Sequence, residues 1–132
     1  VVIDHLPQAL PPSDPAAAKS YVANLQALSQ WPMVFVKGSE GFRRIDGKVV
    51  HDPAFYRGWL DQIWDWFGED RLFYGSDWPN SDHLAPDAET LDLITRYVSA
   101  QGPTASGKFF WKNSRPVYRC RPRDQAQELL AI

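Results

Sequence analysis

Cysteine is almost absent: one residue, Cys120, in 132. A lone cysteine closes no internal disulfide, so the fold must rest on its core, and the chain fits a reducing, cytoplasmic compartment. Long hydrophobic runs are missing too; none approaches the ~20 residues a membrane-spanning helix needs. Charge of one sign is lacking. Fourteen Lys and Arg stand against sixteen Asp and Glu, a formal −2, which gives no electrostatic case for nucleic acid or a membrane surface. There is no low-complexity segment and no linker, so residues 1–132 read as one domain.

Aromatic residues are plentiful: 14 % of the chain, with six Trp. They bury large areas and drive a strong core. The chain opens on Val1-Val2-Ile3, an apolar run without methionine. That reads as a strand already under way, so upstream sequence is expected.

Strand and helix patterns alternate. Val1 to Asp4 is a short β-branched run, followed by a loop carrying Pro7, Pro11 and Pro12. Asp14-Pro15 and Asp52-Pro53 are helix starts, an N-cap acceptor followed by proline. The first helix places Ala18, Tyr21, Val22, Leu25, Leu28 and Ser29 on one face. The second carries the stripe Phe55, Tyr56, Trp59, Leu60, Ile63 and Phe67 and stops at Gly68. Val34-Phe35-Val36 and Leu72-Phe73-Tyr74 are strands. Lys37 to Val50 reads as a polar loop. Pro86-Asp87 opens a helix with Leu91, Ile94 and Val98, ended by Gly102-Pro103. Phe109-Phe110-Trp111 reads as one or two helical turns. Asn113 starts a short helix cut off by Pro116, and Pro122 to Ile132 forms a last amphipathic helix. Three βα units in a row imply parallel strands joined by crossover helices.

Each strand ends in polar residues: Asp4-His5, Lys37 and Ser76-Asp77. In a (β/α) barrel such ends converge on one mouth, where a carboxylate, an imidazole and an ammonium can bind a metal, activate water or hold an anion. Spacing alone leaves each residue a second role. Asp77, between Gly75 and Pro79, suits a turn that it caps itself. His5 suits a hydrogen-bonded rim position, and Lys37 suits a stem reaching into water. His51 and His83 fall in loops. His83 is the better functional candidate, because its loop follows Asp77. Arg115, Arg119, Arg121 and Arg123 read as a solvated face, and Trp59, Trp64 and Trp66 as helix packing.

Gly68-Glu69-Asp70-Arg71-Leu72-Phe73-Tyr74-Gly75-Ser76-Asp77-Trp78-Pro79 resembles a signature of the amidohydrolase-related (amidohydrolase 2) family of TIM-barrel hydrolases. Val2-Ile3-Asp4-His5-Leu6 is similar to that family's sixth strand, Val34 to Ser39 to its seventh, and Asn113-Ser114 to the opening of its closing helix. The resemblance implies an α/β fold made of the C-terminal three βα units of a (β/α)8 barrel. It implies a lactonase-like hydrolase with Asp77 as general base, metal ligand or both, and His5 beside metal or substrate. Lys37, Trp78 and His83 are the expected substrate contacts, and the substrate is a small molecule. Some members of the branch hold a divalent ion, zinc or manganese; others hold none.

Two other readings stand beside this one. One is a metal-dependent nonoxidative decarboxylase of the same family. The other is a non-catalytic barrel fragment whose open edge makes it self-associate. The chain departs from the family pattern in two places. It lacks the His-x-His pair of the first strand, and Gly38 and Glu40 replace a hydrophobic residue and a glycine at the seventh.

Overall fold

Both Asp-Pro pairs start the helices they announce. In a computed structural model, which describes residues 1–5 and 11–120, Asp14 accepts from the Ala17 N–H at 2.7 Å and Asp52 from the Ala54 N–H at 2.9 Å. Each aspartate satisfies one of the donors that a helix N-terminus leaves free. Helices α1 (Pro15–Ser29) and α2 (Pro53–Phe67) follow, each with proline in its first turn. α2 stops at Gly68, whose φ of 69° suits a residue without a Cβ.

Strands β1 (Val2–Ile3), β2 (Phe35–Gly38) and β5 (Leu72–Tyr74) form a parallel sheet in the order β1-β2-β5. Ile3 pairs with Val36, and Val36 with Leu72. Helix α1 crosses from β1 to β2 and α2 from β2 to β5, so the βα alternation read from the sequence is the observed one. The core lies between sheet and helices, where Leu25, Val36, Ile63, Phe67, Leu72 and Val98 are buried. Each large apolar side chain so buried stabilises the fold by about 1.5–3 kcal/mol. Phe55 and Leu28, counted in the apolar stripes of their helices, sit at the margin and are each 40 % exposed.

Three local expectations change. The stretch from Lys37 to Val50 is not wholly a loop. β3 (Arg44–Ile45) and β4 (Lys48–Val49) form an antiparallel hairpin, because Asp46 and Gly47 both take positive φ, the turn that matches strand twist. Tyr56 anchors its base, donating to the Val50 carbonyl at 2.6 Å and accepting from the Arg43 N–H at 2.9 Å. A second buried cluster, with Phe42, Tyr56, Leu60, Ala85 and Leu93, lies beneath it.

Gly102-Pro103 does not merely end α3 (Asp87–Ser99); it opens α4 (Pro103–Gly107). That helix widens into a turn over Lys108–Lys112, closed by the Asn113 N–H bonding the Lys108 carbonyl at 3.0 Å. The i→i+5 step leads to α5 (Ser114–Val117). Asn113 does not cap α5 with its side chain. Its amide instead donates to the Glu69 and Leu72 carbonyls at 2.7 and 2.8 Å, pinning the segment to β5. The expected helix from Pro122 onward, and the proline at position 7, lie outside the described residues.

Candidate metal and water-activating site

The parallel register sends three loops out of one end of the sheet. His5 stands two residues past β1, Glu40 two past β2 and Asp77 three past β5. These three side chains meet: one ligand atom from each lies within 4.8 Å of the others. His5 Nδ1 is 4.0 Å from Glu40 Oε2 and 2.9 Å from the Ser39 hydroxyl.

All three residues hold left-handed backbone, with φ of 57° at His5, 49° at Glu40 and 59° at Asp77. His and Asp adopt that region more readily than most residues, whereas Glu has no such enrichment. Strain of this kind costs about 1–3 kcal/mol per residue and persists where the surrounding structure enforces it.

The electrostatics follow from the geometry. Burial pushes the Glu40 carboxyl above its usual range. The His5 ring opposes that, the hydrogen bond and negative charge of Asp77 add to it, and His83 opposes it more weakly. Two carboxylates brought this close repel each other. A cation placed there would relieve the same repulsion. One imidazole and two carboxylates form a nitrogen–oxygen donor set suited to zinc or manganese. The residues present therefore fit a divalent ion.

Lys37 is at the same end, although outside the cluster. Its ammonium pairs with Asp4 at 3.0 Å. Its stem crosses Gly75, where a built Cβ would lie 2.8 Å from Lys37 Cδ. Glycine at this position lets the lysine lie flat. Gly75→Ala is expected to displace Lys37 from Asp4 and cost about 1–2 kcal/mol. In the Lys37→Ala background the same change should cost markedly less. Equal costs in both backgrounds, measured by urea unfolding, would show that Lys37 does not make glycine necessary.

Trp78 is 64 % exposed beside Asp77. His83 is also exposed; its ring bonds the Asn80 carbonyl, and its own carbonyl accepts from Arg44 at 2.9 Å. Arg44 also bonds the Gly47 carbonyl at 3.0 Å, so it ties the hairpin to the loop that follows Asp77. His51 is not part of the cluster and pairs with Glu89 at 3.2 Å. The sequence reading did not place Glu40 or Ser39 in the site. The available signal was that Glu40 departs from the family pattern at the seventh strand.

Residues 1–120 match the amidohydrolase family model, and the chain belongs to that family. Among solved structures, an amidohydrolase from Burkholderia multivorans with bound HEPES is similar, with a TM-score of 0.72 at 24 % identity, over 91 % of this chain and 44 % of its own. A second crystal form, with bound zinc, gives 0.72 at 23 % identity over the same shares, 91 % and 44 %. Amidohydrolase 2 from Bifidobacterium longum subsp. infantis gives 0.64 at 24 %, over 92 % of this chain and 40 % of its own. At these identities the likeness is one of fold, and the chain spans less than half the length of each of these relatives. No curated protein matches the chain. No helix among the described residues is long and apolar enough to cross a membrane.

Proposed function

We propose that this chain forms one partial barrel domain, strands six to eight of a (β/α)8 hydrolase that opens a lactone or similar cyclic ester, with Asp77 as general base. The observation that carries the reading is the meeting of His5, Glu40 and Asp77 beyond the carboxyl ends of three adjacent parallel strands, the end at which barrel enzymes keep their chemistry.

Asp77 takes a proton from water as the water oxygen attacks the carbonyl carbon. His5 positions that water, its free ring nitrogen accepting from the second O–H, as negative charge develops on the carbonyl oxygen. The ring C–O bond then breaks, and the leaving oxygen recovers the proton from Asp77, giving a hydroxy acid. A divalent ion held by His5, Glu40 and Asp77 would polarise the carbonyl and make water more acidic. Trp78 offers an exposed indole face to an apolar part of the substrate, while Lys37 and His83 offer polar contacts at the rim.

The test is a panel of sugar and dicarboxylic lactones given to the full-length protein, before and after chelation and with zinc or manganese restored. Ring opening that falls on chelation and returns with the ion supports the reading. Ring opening unchanged by chelation keeps Asp77 as base and removes the ion. No lactone opened, with carbon dioxide released from a carboxylic acid instead, would move the assignment to the decarboxylase branch.

A further inference from the structure

We propose that Ser39 is a positioning residue for His5, fixing which ring nitrogen serves the site. The inference rests on the assignment of His5 to that site. Ser39 is buried, at 1 % exposure, yet its hydroxyl reaches across to the loop after the neighbouring strand and lies 2.9 Å from His5 Nδ1. His5 has left the sheet ladder, with a φ of 57°, and its side chain is 36 % exposed. Nothing in the strand pairing therefore sets the direction of its ring. The contact between Nδ1 and the Ser39 hydroxyl does.

A neutral imidazole has one protonated nitrogen and one lone pair, and the partner of one nitrogen decides the state of the other. With Nδ1–H donating to Ser39 Oγ at 2.9 Å and Glu40 Oε2 farther off at 4.0 Å, the lone pair is on Nε2, the nitrogen left for a metal ion or a substrate proton. Carboxylates, backbone carbonyls and waters commonly hold metal-binding histidines in this way, a place the Ser39 hydroxyl takes here, and losing such a partner costs about 10- to 100-fold in metal affinity. Ser39 and Glu40 are consecutive, so one short segment both orients the histidine and places a carboxylate opposite it.

The test uses full-length protein labelled with nitrogen-15 at histidine. Long-range proton–nitrogen spectra of the metal-free protein should show His5 protonated at Nδ1. Ser39→Ala should populate both tautomers and weaken zinc binding by about 10- to 100-fold. Ser39→Thr, which keeps the hydroxyl, should restore both properties. A wild-type His5 protonated at Nε2 would overturn the proposal. So would a Ser39→Ala protein with unchanged tautomer and zinc affinity. Should Ser39→Ala fail to fold, the wild-type tautomer decides alone. A wild-type protein that binds no zinc would contradict the metal assignment under Proposed function, and the tautomer spectra would still decide the role of Ser39.

Discussion

If the proposed lactone hydrolysis holds, replacing Asp77 with asparagine is expected to cut its turnover by roughly 1,000-fold, within the range a positioned general base supplies. The substitution is informative because of the backbone. Asp77 holds a φ of 59°, and asparagine is the residue that tolerates left-handed backbone about as well as aspartate. Shape and conformation are kept, and the proton acceptor is lost. Stability should therefore move by no more than about 0.5 kcal/mol. Steady-state kinetics and a thermal melt on the same preparation check both halves. Turnover within a few-fold of wild type would remove Asp77 as the base.

Arg71→Ala should have the opposite profile, a large loss of stability with chemistry largely preserved. The guanidinium of Arg71 donates to four backbone carbonyls: Ser29 at 2.7 Å, Trp31 at 3.0 Å, Phe67 at 3.0 Å and Trp66 at 3.2 Å. Ser29 ends α1 and Phe67 ends α2. One side chain thus serves the unpaired carbonyls at the C-termini of two helices, where a positive charge also meets the negative end of each helix dipole.

Removing it leaves those carbonyls short of partners, and charged hydrogen bonds are worth about 1.5–3 kcal/mol each, without simple additivity. The expected loss is about 3–5 kcal/mol in urea unfolding. Arg71→Lys should recover less than half of it, because an ammonium cannot span the fork. Arg71 precedes β5, at the end of the sheet away from His5, Glu40 and Asp77. The kcat of the folded fraction should therefore change little. A stability loss under 1 kcal/mol would show that water replaces the arginine.

The contrast between these two residues also explains what could be read from the sequence. The Asp-Pro starts and the stripe on α2 are local signals with local causes, and they predicted helices that exist. Short apolar runs between them predicted three strands, and alternation predicted that the strands are parallel. The family signature around Arg71 and Asp77 placed an aspartate correctly at a strand end. It did not show that Arg71 clamps two helix ends, because its partners are 40 and 42 residues away in sequence at Trp31 and Ser29.

Glu40 was visible only as a departure from a pattern. Its place opposite His5 and Asp77 depends on left-handed backbone at all three residues, and nothing in the residue types announces that for a glutamate. Ser39 likewise looked like loop sequence until the sheet register brought it beside His5. The hairpin's Asp46-Gly47 turn was legible in principle, but Arg44-Ile45 and Lys48-Val49 are too short to stand out as alternating runs.

The central claim is that His5, Glu40 and Asp77 make one ion-holding, water-activating site. Anomalous diffraction at the zinc edge from crystals of zinc-loaded full-length protein tests it most directly. The account predicts one ion bound by a His5 nitrogen and by oxygens of Glu40 and Asp77, at roughly 2.0–2.2 Å. An ion held elsewhere, with these three side chains outside its coordination sphere, or no ion after loading, would contradict it.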